Sequence, residues 1–331
     1  MISRLFVAPN WIGDAVMSLP VLRAVRRRHP GDRLTVLARK GPAAIYRAEG
    51  SADEVMTRSS FLADALAIRA RRFDEAWLLP NSLRAGLLAF ISGAGRRLGY
   101  ATDRRAPLLT DAPPPPPGTR HQLRDYDALL LTAGIPPDSD SPRIPIPEAA
   151  ARRAGQALAA AGLSGDRLVV LCPGSAYAAI KRWPADRFAA LSDRLAERGF
   201  SCAVAIGPGE RALAEAVARK ARAAPPLLGE DLDPVELAAV FARARLVVAN
   251  DSGPAHLAAA VGTPVAVFFG PTDPGRTAPS GAPVRVLDRY VFCSPCFRET
   301  CPYGHECMRE IEVEDAMRAV EELIGARRPS S

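Results

Sequence analysis

Short apolar runs, each followed by a stretch of helical periodicity, recur along both halves of this sequence. Leu5-Phe6-Val7-Ala8 leads through a loop into a helical pattern from about Gly13 to Arg28. Leu34-Thr35-Val36-Leu37-Ala38 precedes another helical stretch, and Glu75-Ala76-Trp77-Leu78-Leu79 reads as a third strand. Strands apolar on both faces, with helices between them, argue for a mostly parallel sheet covered on both sides. The alternation breaks between about residues 110 and 165, where Pro113–Pro117 is extended or loop backbone and further prolines punctuate the chain up to Pro147. It restarts at Leu168-Val169-Val170-Leu171-Cys172 and continues through Ala203–Ile206, Leu246–Ala249 and Val265–Phe269. The expectation is an α/β chain of two Rossmann-like βαβ domains, residues 1–150 and 151–331. Two such domains side by side face each other across a cleft at the carboxyl ends of their strands, where open α/β sheets bind ligands.

Composition narrows the function classes. Of 331 residues 48% are hydrophobic, enough for a large core and against wholesale disorder. No apolar run reaches the ~18 residues of a membrane span. The opening stretch carries Asp14 and lacks a long apolar segment, so a secretory signal is not expected and the cytoplasm is. The net charge of +7 is uneven: residues 1–150 hold 21 basic and 15 acidic side chains, and the remainder is nearly balanced. The first half should therefore attract an anionic partner more strongly. Nucleic acid is not expected as that partner, because no basic stripe with interleaved aromatics is present.

Four constellations could carry chemistry. In Asn10-Trp11-Ile12-Gly13-Asp14, Gly13 allows a tight turn and Asp14 falls in the first helical turn. That acid is either a favourable partner of the helix dipole or a general base aimed into the cleft, and nothing local separates the two. Pro173-Gly174-Ser175 follows a buried strand, with Lys181-Arg182-Trp183-Pro184 six residues later. Such a turn offers backbone N–H groups and a hydroxyl to an anion, and Lys181 adds a mobile charge that reaches a diphosphate. The spacing is neither a Walker loop nor the dinucleotide GxGxxG. Asn250-Asp251-Ser252-Gly253-Pro254-Ala255-His256 opens an apolar helix; Asp251 or Ser252 suits its N-cap, and open amides beside His256 suit a phosphate. Finally Cys293, Cys296, Cys301 and Cys307 fall within fifteen residues. In a cytosolic chain this clustering favours a structural metal over disulfides. Four-thiolate zinc leads, an iron–sulfur cluster comes second, and His305 is an alternative ligand. Cys172 and Cys202 lie in apolar strands and read as inert core residues.

Together, NWIGDAVMSLP, PGSAYAAIKRWP, GPGE and NDSGPAHLAAAVGTPVAVFFGPTDP resemble the lipopolysaccharide heptosyltransferases, the inverting family 9 of glycosyltransferases. The resemblance runs from about residue 4 to 322 and is strongest to the heptosyltransferase II branch. It implies the two-domain GT-B fold, with the first domain binding a lipid A–Kdo–heptose acceptor and the second binding ADP-heptose. It implies Asp14 as the base, Ser175 and Lys181 at the diphosphate, and Glu210 at the ribose hydroxyls. Asp251, Ser252, Gly253 and His256 would cradle the diphosphate and heptose. Arg96, Arg97 and Arg120, with Arg104 and Arg105, are candidates for the anionic acceptor. No cofactor is implied for catalysis, and an enzyme with a lipid-linked acceptor is expected to touch the cytoplasmic face of the inner membrane.

Overall fold

The computed structural model describes residues 1–137, 141–176 and 178–325. The chain divides into two compact units, Met1–Ile144 and Pro145–Ser331. Among the described residues no helix is long and apolar enough to cross a membrane.

The first unit runs β1 (Ser3–Val7), α1 (Ile12–Arg28), β2 (Arg33–Ala38), α2 (Lys40–Glu49), β3 (Glu54–Thr57), α3 (Phe61–Arg71), β4 (Glu75–Leu78), α4 (Leu83–Ser92), β5 (Arg96–Leu98) and α5 (Gln122–Thr132). Its five strands are parallel in the order β3-β2-β1-β4-β5. β1 is central because both of its faces are apolar, and Leu5, Phe6 and Val7 are buried. Leu5, Val7, Leu37 and Leu78 form a core with Ala65 and Ile68 of α3 and Ala85, Leu88 and Ala89 of α4. α1 packs against α2 and α5. The chain leaves β1 towards β2 on one side and has β4 on the other. The carboxyl end of β1 is therefore a topological switch point, and the loop from Asn10 to Asp14 emerges there.

The second unit runs α6 (Glu148–Ala160), β6 (Leu168–Cys172), α7 (Ala185–Glu197), β7 (Ser201–Ala205), α8 (Arg211–Lys220), β8 (Leu227–Leu228), α9 (Pro234–Arg243), β9 (Leu246–Asn250), α10 (Gly253–Ala260), β10 (Val265–Phe268), α11 (Pro274–Thr277), β11 (Val284–Leu287), α12 (Glu306–Arg309) and α13 (Val313–Gly325). The six parallel strands are ordered β11-β10-β9-β6-β7-β8, so β6 and β9 adjoin although some 70 residues separate them. Trp183 anchors this core, stacked on Phe268 at 4.3 Å and edge-on to Phe188 at 5.0 Å. Each such ring pair adds about 0.5–1.5 kcal/mol beyond area burial. α13 contributes Ala316, Met317, Val320 and Leu323 to the same cluster. A cut between residues 150 and 151 falls inside α6, which packs on α9 and belongs wholly to the second unit.

Candidate active site

In the first unit Asp14 is half-buried in the opening turn of α1, whose N-cap position is Trp11 and carries no side-chain cap. The first turn of a helix is the positive end of its dipole, where an acid is favourably placed. Gln122, the first residue of α5, donates its amide Nε2 to Asp14 Oδ1 at 3.4 Å and lies 3.1 Å from the Tyr126 hydroxyl. Behind them the Tyr46 hydroxyl is bonded to Ser18 Oγ at 2.6 Å. Burial, and then the Asp14 charge, push the Tyr126 phenol well above its ordinary range. The Tyr46 phenol also rises, again chiefly through burial. Both therefore stay protonated, and the Asp14 carboxylate stands against two neutral phenols.

The five candidate arginines separate. Arg96 sits opposite Glu75, itself opposite Arg4, at the amino-terminal end of the sheet, away from Asp14. It pairs with Asp111 at 3.0 Å. Arg97 donates to the carbonyls of Leu108 and Ala94 and lies over the Phe90 ring. These two are thus structural supports of the edge strand, and the structure does not bring them to Asp14. Arg105 is fully buried and donates to the carbonyls of Tyr100, Pro80 and Ser82. Burial pulls its guanidinium down to about 10. Arg104 adopts a left-handed backbone beside it (φ 55°). Arg120 stands two residues before Gln122, which reaches Asp14; it donates to the Pro117 carbonyl at 3.0 Å.

In the second unit Asn250, at the end of β9, knots the turn leaving β6 to the segment that enters α7. Its side chain, wholly buried, donates to the Pro173 carbonyl at 2.7 Å and accepts from the Trp183 N–H at 2.9 Å. That fixes the Pro173-Gly174-Ser175 turn and the Lys181–Trp183 segment against β9. Lys181 ends a short 3₁₀ turn, and its Nζ lies 2.6 Å from Asp251 Oδ2. The same carboxylate oxygen accepts from Thr272 Oγ1 at 2.7 Å. Asp251 is almost fully buried, so two donors converge on one desolvated charge. Ser252 occupies the N-cap of α10, but its hydroxyl turns back to the Asn250 carbonyl and makes no cap bond. The leading amides at Gly253 therefore receive no cap from it, and His256 is buried one turn further on.

Glu210 reaches this site from the carboxyl end of β7. Its carboxylate accepts from the Gly207 N–H at 3.1 Å and lies against Gly174, where a Cβ would overlap it. Glycine at 174 thus lets the Glu210 carboxylate lie directly against the backbone. Burial raises the Glu210 carboxyl above the usual range, opposed by the Gly207 N–H, the Arg182 charge and the Ser175 N–H. Arg182 donates to the Ser175 carbonyl at 3.1 Å. Ser175, Lys181, Glu210, Asp251, Ser252, Gly253 and His256 thus all lie on the loops and helix starts at the carboxyl ends of β6, β7 and β9. Tyr177 lies outside the described residues. Asn250 and Thr272 complete the site; their signals were the position ending a buried strand and the polar turn after the next one.

The cysteine segment corrects an expectation. Cys293, Cys296, Cys301 and Cys307 are free thiols, as are Cys172 and Cys202. Among the described residues no group of three or more His, Cys, Asp or Glu is arranged to hold a metal ion. The zinc and iron–sulfur reading therefore has no support. Spacing brings four sulfurs into one neighbourhood, but the backbone is spent on other partners. Cys296 and Phe297 donate their N–H groups to the Pro271 carbonyl, at 3.0 and 2.8 Å. The His305 ring nitrogen bonds to the Ile180 carbonyl instead of turning to the thiols. Burial, then the neighbouring thiols, push Cys307 up to about 11, so it stays protonated at neutral pH. Burial likewise raises Cys202 to about 11 and Cys172 further, which suits core residues.

Two parallel-sheet units, each with polar loops at the carboxyl ends of its strands, are the two halves of a GT-B-type fold. A solved family 9 glycosyltransferase from Veillonella parvula superposes with a TM-score of 0.86 at 22% identity, covering 98% of this chain and 97% of the other. ADP-heptose lps heptosyltransferase II from Escherichia coli superposes at 0.83, with 21% identity over 98% and 99% of the two chains. In sequence, lipopolysaccharide heptosyltransferase 2 of Salmonella typhimurium is 28% identical over 313 residues, 86% of this chain and 87% of that one. The model of glycosyltransferase family 9 (heptosyltransferase) matches residues 63–306, and the chain belongs to that family.

Proposed function

We propose that this enzyme transfers L-glycero-D-manno-heptose from ADP-heptose to a heptose of the lipopolysaccharide inner core, as a heptosyltransferase II. The second unit binds the donor and the first, with its excess of basic side chains, binds the acceptor. The observation that carries the reading is the Lys181–Asp251–Thr272 cluster beside the start of α10, a cation held on a carboxylate where a diphosphate would compete for it. Asp14 takes the proton of the acceptor hydroxyl as that oxygen attacks the anomeric carbon. The new carbon–oxygen bond forms on the face opposite the breaking bond to ADP, so configuration inverts. Charge growing on the departing diphosphate is offset by Lys181 and the α10 amides, and Glu210 holds the ribose hydroxyls. The chemistry as written needs no cofactor. The enzyme works in the cytoplasm, at the inner face of the membrane that holds its acceptor.

Incubation with ADP-heptose, with and without deacylated heptose-terminated core, tests this. ADP release and a product heavier by one heptose should require both substrates. Donor breakdown without acceptor, or an unchanged donor in both tubes, would overturn the reading.

A further inference from the structure

α3 and α4 are apolar on the wrong side as well as the right one. Inward, Ala65, Ile68, Ala85, Leu88 and Ala89 pack on the sheet. Outward, Leu62 and Leu66 of α3 are 68% and 63% exposed, and Leu83, Leu87 and Phe90 of α4 are 39%, 37% and 54% exposed. The spacings of 62/66 and 83/87/90 put each set on one helical stripe. The helices lie alongside and run the same way. Arg84 at the start of α4 stacks on Phe61 at the start of α3, and Arg69 near the end of α3 lies against Gly93 at the end of α4. The two stripes therefore join into one surface. A surface helix ordinarily turns polar side chains outward, and a contiguous apolar face marks an interaction site.

Charge says what covers it. The one acid on the two helices, Asp64, is buried and faces Arg58 and Arg84. Arg69, Arg71 and Arg84 on the helices and Arg72 just after α3 are exposed, Arg71 being paired with Glu54 at 2.7 Å, while the exposed Asp103 accepts from the Leu83 N–H at the start of α4. Leucines and a phenylalanine with the exposed Arg69 and Arg72 at their margin, on helices whose one acid is buried, fit a layer that is apolar inside and anionic at its surface. We infer that the α3–α4 face seats this enzyme on an anionic lipid bilayer, with Leu62, Leu66, Leu87 and Phe90 entering the headgroup boundary. The inference rests on the proposed membrane-side acceptor and names the surface that meets it.

Sedimentation with vesicles tests it. Wild-type protein should pellet with vesicles of phosphatidylethanolamine and phosphatidylglycerol, and less with phosphatidylcholine alone. The variant Leu62→Ser/Leu66→Ser/Leu87→Ser/Phe90→Ser should lose at least about tenfold in partitioning. Its melting temperature and its transfer to a soluble deacylated acceptor should stay near wild type, because these side chains face outward. Arg69→Gln/Arg72→Gln should weaken binding only to the anionic vesicles. Equal pelleting of wild type and the quadruple variant would overturn the assignment. So would a wild-type dimer that ignores lipid and becomes monomeric in the variant, which would make the face a self-interface. Failure of transfer with intact vesicle binding would instead overturn the enzymatic reading and leave the surface standing.

Discussion

Lys181→Ala separates what the Lys181–Asp251 pair does for the fold from what it does for the ligand. Asp251 is nearly buried, and Lys181 sits 2.6 Å from it with little of its side chain exposed. Removing one partner of a buried pair costs about 3–5 kcal/mol, because the other charge is stranded. Thr272 still donates to Asp251, and that charge-assisted bond is worth about 1.5–3 kcal/mol, so the expected loss is nearer 2 than 5 kcal/mol. On the ligand side, a lost charge-assisted bond to diphosphate of about 1.5–3 kcal/mol weakens ADP roughly 10- to 150-fold. The double variant Lys181→Ala/Asp251→Asn removes the stranded charge. It should regain most of the stability and none of the ADP affinity. Urea denaturation of the free protein and calorimetric titration with ADP read the two quantities. Wild-type ADP affinity in Lys181→Ala would refute the placement of the diphosphate. A double variant as unstable as the single one would refute the stranded-charge account.

Asp14→Asn should lower kcat by about 10²–10⁴-fold while ADP affinity stays near wild type; retention of a third of kcat would exclude a base there. Glu210→Gln should affect stability and binding in opposite directions. A carboxyl whose folded pKa is raised binds more protons in the folded than in the unfolded chain. It therefore takes stability away as pH rises from its unfolded to its folded pKa. The amide should make the free protein more stable at neutral pH, flatten that part of the stability–pH curve, and weaken ADP; unchanged stability at pH 7 would count against burial as the cause. Asn250→Ala should cost about 2–4 kcal/mol by stranding the Trp183 N–H and the Pro173 carbonyl, read as a lowered denaturation midpoint; a loss under about 1 kcal/mol would show that water replaces it.

The central strands were legible because they are buried on both faces and so read as unbroken apolar runs. β1, β2, β4, β6, β7, β9 and β10 all have that character. Edge strands escaped the pattern. β3 is half-exposed, β5 carries two arginines, and β8 has two residues. The clustering of Ser175, Asp251 and Ser252 was visible for a related reason: they closely follow buried strands, where a parallel sheet gathers its loops. That Arg96 and Arg97 lie away from Asp14 was not legible, because charge in a sequence does not say at which end of a strand it lies. Gln122 carried no signal at all, since only packing of α5 on α1 brings it to Asp14. The cysteines showed proximity in sequence, but their geometry depends on a loop whose N–H groups bond to the Pro271 carbonyl and whose His305 ring turns to the Ile180 carbonyl.

The Asn250 knot also sets an order of events during synthesis. Its partners Pro173 and Trp183 are made long before it, yet they have no fixed places until β9 slides in beside β6. Trp183 then waits longer still, because its indole N–H finds the Ile311 carbonyl only when the chain has been extended past α12. The loop after β6 and the Lys181–Trp183 segment of the nascent protein therefore stay unset through most of translation. The last interactions that fix these loops form only when nearly the whole second unit has been made, so it matures as one late cooperative step.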